Sequence, residues 1–181
     1  MDGSLTTVED IDFDFENSGV KVVVLRELPV PAMATAKVGQ EIEMPYWTAK
    51  ELVRDGYVKF NEKHVLDLAK IQKVHWRETD TATRKLIAIQ PDFYCLLRRH
   101  LDELRQDTGK FRELDRYETL ARDIVNIRVQ KIITLSATPV SRETGNVLQN
   151  LASEERALYL ALSRTIESWR AKLMPAAEAG K

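Results

Sequence analysis

Apolar residues recur at helical spacing through the second half of the chain. The clearest predicted helix begins after Pro91, which is favoured in a first turn because its fixed φ suits a helix. Five apolar residues then fall at i, i+3, i+4, i+8 and i+11: Phe93, Leu96, Leu97, Leu101 and Leu104. This spacing places them on one face, which the helix is predicted to bury.

Three other helices are predicted around this one. The first has Asn61 as its N-cap, and a longer one follows Gly109 and ends before Pro139. The last begins at Ser153, after a short helix at residues 147–151. The apolar face of this last helix consists of Leu158, Leu162, Ile166 and Trp169.

The first half has a different pattern, and residues 19–61 are predicted to form a small β-rich domain. Residues 20–25 are mostly β-branched and precede two prolines, which is typical of a strand. A short hairpin is predicted between residues 37–38 and 41–44, because Gly39 can supply the positive φ of a tight turn.

One short helix interrupts the β-rich domain. Thr48 and Glu51 have capping-box spacing, and Gly56 is placed to end the helix. Residues 57–60 then return to extended structure. The predicted fold is therefore mainly α, with a small β-rich N-terminal domain followed by a helical bundle domain at residues 62–174.

Charge is distributed unevenly along the chain although it nearly cancels overall. The 181 residues include 27 Lys and Arg and 28 Asp and Glu, yet residues 1–19 hold six acids and no base. Residues 1–18 are therefore predicted to be an acidic disordered tail, with a docking peptide as the alternative. Residues 20–181 carry a formal charge of +5, and residues 175–181 are predicted to be a flexible C-terminal tail.

The sequence contains no signature of a catalytic, metal or cofactor site. A single cysteine cannot form an internal disulfide, and the three histidines do not have the spacing of a zinc site. Phosphate-binding loops, dinucleotide fingerprints, nucleophile elbows and HExxH motifs are all missing. No apolar run approaches the roughly 20 residues of a membrane span. An intracellular protein without catalytic activity or a cofactor is predicted.

Basic residues on the two central predicted helices are candidates for phosphate contacts: Arg98, Arg99, Arg105, Arg122, Arg128 and Lys131. Acids are interleaved with most of them, which is typical of a solvated face or of pairing between helices. Arg128 and Lys131 differ because they lie in an otherwise apolar stripe, where a packed charge needs a partner. They predict either a buried ion pair or a subunit interface.

Large aromatic residues are numerous for a helical domain of this size: Trp47, Trp76, Trp169, Tyr94, Tyr117 and Tyr159. Each either closes the core of the chain or faces another chain.

Several segments in order resemble subunits of the archaeal GINS complex. Residues 44–60 contain Pro45, Trp47, Ala49, Leu52 and then Gly56 and Val58, and they resemble the signature of the small GINS β domain. Residues 68–78, 90–94, 122–137 and 154–159 resemble parts of its helical domain. The resemblance covers residues 20–170. A β domain that precedes the helical domain resembles the Psf2/Psf3-related subunit, since the Sld5/Psf1-related subunit usually has the reverse order.

The resemblance implies a non-catalytic scaffold in DNA replication. It implies a heterotetramer, formed 2:2 with the Sld5/Psf1-related subunit, that acts as a helicase accessory factor in the replisome. It further implies contacts with the MCM helicase and a RecJ-family protein, with primase or polymerase as further candidate partners. Contact with DNA would be weak or indirect, and the location would be cytoplasmic at the nucleoid.

The resemblance also assigns roles to residues. Arg128 and Lys131, with Phe93 and Tyr94, would orient the helical core and its subunit contacts. Trp47 and Leu52 would hold the short helix to the strands. Further candidate structural or interface residues are Trp76, Arg122, Leu158 and Tyr159. The alternative functions are a stand-alone nucleic-acid-binding module and, ranked last, a small-molecule enzyme.

Overall fold

The structure, a computed structural model, describes residues 7–29, 36–80, 86–138 and 148–174. Within these ranges, a three-stranded antiparallel sheet in the first third of the chain precedes four longer helices. The fold is therefore mainly α with a small β-rich N-terminal part, as predicted. The predicted C-terminal tail and the start of the predicted helix at 147–151 lie outside the described residues.

The central strand is β1, Gly19–Val24, and it pairs with β2, Glu41–Pro45, on one side and β3, Val58–Phe60, on the other. Val20, Val22 and Val24 are buried because alternate side chains of a strand point to the same face. The predicted first strand is thus confirmed.

The predicted hairpin between residues 37–38 and 41–44 is wrong in its pairing. Residues 41–44 do form a strand, but their partner is β1, with Val20 opposite Met44. Gly39 has a φ of +83° and its N–H donates to the carbonyl of Val24 at 2.8 Å. The turn that was expected to join two short strands therefore carries the chain back to β1.

Helix α2, Tyr46–Arg54, follows β2 directly. The predicted capping box is wrong, because Pro45 occupies the N-cap position and Thr48 lies inside the first turn. Gly56 ends the helix as predicted: its φ is +76° and its N–H donates to the carbonyl of Val53 at 3.0 Å.

Residues predicted to be a disordered acidic tail instead include helix α1, Val8–Asn17. Thr7 and Asp10 cap it reciprocally, with the Asp10 N–H 3.1 Å from the Thr7 hydroxyl. Ile11 and Phe15 lie one turn apart and are buried in the core. The prediction failed because the acidic composition outweighed a short apolar stripe at helical spacing.

The remaining helices are α3, Leu68–Thr79, α4, Phe93–Gln106, α5, Phe111–Ser136, and α6, Ser153–Leu173. Helix α4 is the one predicted after Pro91, and four residues of its predicted stripe are buried: Phe93, Leu96, Leu97 and Leu104.

Two predicted N-caps are shifted. Asp67 rather than Asn61 caps α3, and its carboxylate accepts from the Lys70 N–H at 2.8 Å. Ala152 rather than Ser153 precedes α6, and its N–H donates to the Glu155 carboxylate at 3.0 Å.

One apolar core continues from the sheet into the bundle. It contains Phe15 of α1, Val22 of β1, Leu97 of α4 and Ile124 of α5. The ring centroids of Phe15 and Tyr46 lie 4.5 Å apart, so α1 packs on α2 as well as on the bundle. The predicted boundary near residue 61 therefore divides two parts that share a core.

Candidate functional site

Arg128 is fully buried on α5, at the centre of the helical bundle. Its Nε and Nη2 donate to the two carboxylate oxygens of Glu155 at 2.5 and 2.7 Å. Its Nη1 donates to the Glu78 carboxylate and to the Ile87 carbonyl, and Nη2 also reaches the Asn150 carbonyl at 3.2 Å. All five donor hydrogens of a guanidinium are thereby matched with acceptors.

Glu78, Lys131 and Tyr94 complete the buried ion-pair cluster around Arg128 and Glu155. The Lys131 ammonium donates to the second carboxylate oxygen of Glu78 at 2.5 Å. The Tyr94 hydroxyl donates to Glu155 at 2.6 Å. Two acids and two bases leave no net charge in the cluster, which is the condition under which buried charges are tolerated.

Burial and partners set the protonation of the cluster. Burial, followed by the Glu155 charge, raises the pKa of Tyr94 well above its usual range, so the hydroxyl stays a donor. Burial alone would lower the pKa of Arg128, but hydrogen bonding to Glu155 and the charges of Glu155 and Glu78 outweigh it and raise that pKa.

The buried ion-pair cluster joins four helices. Glu78 belongs to α3, Tyr94 to α4, Arg128 and Lys131 to α5, and Glu155 to α6. Directional bonds in a low-dielectric interior allow few alternative arrangements. The cluster can therefore fix how α6 lies against the rest of the bundle.

The structure separates the other predicted site residues into buried and exposed groups. Leu52, Phe93 and Tyr159 are buried, and Tyr159 packs with Leu86, Ile132 and Leu151 in a second, smaller core. Arg122 is exposed on α5.

The predicted role of Trp47 is wrong, because its side chain is 54% exposed and cannot hold α2 to the sheet. The neighbouring Tyr46 does this instead. It is buried, and its ring stacks on Phe60 of β3 with centroids 5.3 Å apart. The sequence motif pointed to the right turn of α2 but to the wrong aromatic residue.

An apolar stripe runs along α6 and becomes uncovered toward its end. We call this the α6 face; it consists of Leu158, Leu162, Ile166, Trp169 and Leu173. Leu162 packs against the smaller core, whereas Trp169 and Leu173 are 61% and 60% exposed. Arg170 donates to the carbonyl of Ala137 at 2.6 Å, which ties this part of α6 to the end of α5. The uncovered apolar side chains therefore sit on an anchored helix.

A groove of about 600 Å³ opens between α1 and the first turns of α4 and α6. Cys95 lines it, and burial raises the pKa of its thiol to about 12, so it is not a thiolate nucleophile at neutral pH. Within the described residues no three His, Cys, Asp or Glu side chains are grouped to hold a metal ion. No helix in that part of the chain is long and apolar enough to cross a membrane.

The fold defines a helical-bundle protein with a small attached sheet and an apolar stripe that is uncovered toward the end of α6. The family model described as Sld5, GINS complex protein helical bundle domain, matches residues 65–174, which is more than half of the chain. The chain therefore belongs to the GINS family, whose proteins are components of a DNA replication complex and are generally non-catalytic. Other GINS subunits are accordingly its partners. No curated protein matches the chain.

Proposed function

We propose that this protein is the Psf2/Psf3-related subunit of an archaeal-type GINS complex and that its α6 face binds a second, Sld5/Psf1-related subunit. The observation that carries the proposal is the uncovered stripe that ends in Trp169 and Leu173, within the part of the chain that matches the family. The assembly would be a 2:2 heterotetramer.

The order of the two parts supports this subunit type. The family match covers the helical bundle, so the type rests on the small sheet of β1 to β3, which precedes the bundle in the chain. The resemblance of residues 44–60 to the small β domain of such subunits points the same way.

The chemistry of the α6 face suits a protein partner. Protein interfaces concentrate their binding energy in a few large side chains, among which tryptophan is enriched. Trp169 would serve as such an anchor, with Leu158 and Leu173 on either side along the stripe. The buried ion-pair cluster would hold α6 in place through Glu155, so that little ordering accompanies binding.

At the level of the replisome, the tetramer would scaffold the MCM helicase and a RecJ-family protein at the fork without performing chemistry itself. Primase or polymerase are further candidate partners. This assembly would act in the cytoplasm at the nucleoid.

The interface is tested by placing a charge on the α6 face. Co-expressed with the second subunit, Trp169→Glu is expected to reduce the native mass to that of separate chains, because a carboxylate cannot enter an apolar interface unpaired. Leu160→Glu is the matched control, since Leu160 is 41% exposed on the same helix but lies about 200° around from Leu158. If both Trp169→Glu and Leu160→Glu left the native mass of the complex unchanged, the α6 face would not be the subunit interface.

A further inference from the structure

Trp76 is the most exposed of the three tryptophans, with 74% of its surface uncovered, and it does not lie on the α6 face. It projects from α3 between two exposed bases, Lys73 one turn before it and Arg77 directly after it. Residues three and four apart on a helix are neighbours on its surface. Lys73 is therefore a surface neighbour of both the exposed Trp76 ring and the Arg77 side chain.

The charge on the exposed surface of α3 is of one sign. The helix carries Lys70, Lys73 and Arg77, and its one acid, Glu78, is buried and neutralised in the ion-pair cluster. The Lys70 ammonium donates to the carbonyls of Glu62 and Val65.

The groups that face α3 from α5 do not neutralise the exposed bases. Asp123 lies 3.5 Å from the His75 ring, and Arg116 faces the side-chain amide of Gln72. Asp80, at the C-cap of the helix, is exposed and lies three residues after Arg77. Among the described residues, no carboxylate lies within 4.0 Å of the Lys73 ammonium or the Arg77 guanidinium.

The other two tryptophans have different surroundings. Trp169 is part of an apolar stripe, as expected of a protein interface. On α2, the exposed base Lys50 lies one turn after Trp47, while Arg54 is paired with Glu51 and Asp55. An exposed base also lies one turn after Trp169, at Lys172. Trp76 differs in being the most exposed of the three and in lying on a helix whose exposed charges are all positive, whereas α2 and α6 carry the exposed acids Glu51 and Glu167.

We propose that this surface of α3, formed by Trp76, Lys73 and Arg77, binds single-stranded nucleic acid. An exposed indole is a stacking platform for an unpaired base, and neighbouring bases of the protein neutralise the phosphates on either side. An acidic peptide would use the cations but would leave the ring without a planar partner, which is why a polynucleotide fits better. Because this surface is on α3 and the proposed subunit interface is on α6, nucleic-acid binding can be tested independently of subunit assembly.

The test measures the binding of labelled oligo(dT) to the full-length protein by fluorescence anisotropy over a range of salt concentrations. Trp76→Ala is expected to weaken binding about five-fold or more, because base stacking on one aromatic side chain is worth at least that factor. Trp76→Phe keeps an aromatic face and is expected to retain part of the affinity. Phe13→Ala is the matched control and is expected to leave binding unchanged, because Phe13 is an aromatic residue 70% exposed on the acidic helix α1.

The charges are tested by a second variant, Lys73→Gln with Arg77→Gln. Removing two phosphate contacts is expected to reduce the slope of log K against log salt by about 1.4, since each contact to a single strand contributes about 0.7. All three side chains are exposed, so the helix content measured by circular dichroism is expected to match that of the unmodified protein.

Three results would overturn the proposal. The unmodified protein could fail to bind oligo(dT), or Trp76→Ala could bind as tightly as Phe13→Ala. Trp76→Ala could instead lower the native mass of the complex while leaving oligo(dT) binding intact, which would assign Trp76 to a protein interface. Correct assembly with no nucleic-acid binding would refute this inference alone and leave the proposed function standing.

Discussion

Arg128 combines full burial with five matched hydrogen-bond donors, and this determines how the residue acts on stability. Its position in an apolar stripe is visible in the sequence, so a buried pair was one of the two predictions for it. Its partners are not visible, because Glu155 and Glu78 lie 27 and 50 residues away along the chain. The apolar stripe around Arg128 predicts that its charge is buried. Which carboxylates pair with it depends on how the four helices pack.

Replacing Arg128 by Met is expected to lower the free energy of unfolding by about 3–5 kcal/mol, because Glu78 and Glu155 would keep buried charges without their main partner. Denaturant unfolding at fixed protein concentration measures this. The control is Arg105→Met, which removes an exposed pair with Glu118 and is expected to leave the midpoint nearly unchanged. Similar midpoints for the two variants would show that the cluster does not stabilise the bundle.

Three buried tyrosines are expected to make the free energy of unfolding depend on pH in the alkaline range. Burial raises the pKa of Tyr46 to about 12, above its ordinary value of 10.0, and burial also raises the pKa values of Tyr94 and Tyr117. Above pH 10 the unfolded chain loses these protons while the folded chain keeps them. Stability should therefore be fully present below pH 10 and fall as pH rises, by about 1.4 kcal/mol per pH unit for each group.

Tyr46→Phe separates this effect from general alkaline damage. The ring keeps its contact with Phe15 and its stacking on Phe60, but the titrating hydroxyl is gone. The decline in the free energy of unfolding between pH 10 and about 12 should become shallower, because the contribution of the Tyr46 hydroxyl is removed. An unchanged slope would mean that the Tyr46 hydroxyl ionises alike in the folded and unfolded chains.

Helix α1 is joined to helix α4 of the bundle by ion pairs. Asp12 lies 2.7 Å from Arg98 of α4, and Glu16 pairs with Arg99 of the same helix. The acids that suggested a disordered tail thus face bases on α4. Composition could not reveal this, because the arginines lie more than 80 residues further along the chain.

We expect the backbone amides of α1 to exchange with solvent deuterium slowly. Phe15→Ala should raise their exchange rates and lower the melting temperature, because a buried ring that packs on Tyr46 would be lost. Phe13→Ala is the matched control, since Phe13 is on the same helix and exposed. Fast exchange of α1 in the unmodified protein would restore the disordered-tail prediction.

Unlike α1, the helix that carries the α6 face was predicted from the sequence. Its stripe from Leu158 to Trp169 was predicted from spacing alone, and the structure confirms the helix. Spacing does not indicate which end of a stripe is covered. That depends on where α5 ends and on the contact between Arg170 and Ala137, both of which are tertiary features.

For the whole molecule, the sequence predicted the order of a small sheet and a helical bundle, and the structure confirms it. It predicted a β-rich domain at residues 19–61 and a helical domain at 62–174, and the sheet, α1 and the bundle share one core. Each strand and helix here carries a readable local pattern. The packing of one part on the other depends on pairs distant in sequence, such as Phe15 with Tyr46, which no local pattern records.

This 20.8 kDa chain is expected to work as one subunit of a GINS assembly. The most direct test is the native mass of the tagged, full-length protein purified gently from its source cells, with its companions identified by mass spectrometry. A four-chain particle with two copies of a second GINS subunit, and with helicase components in looser association, is the predicted result. A lone monomer without a GINS partner would contradict the account.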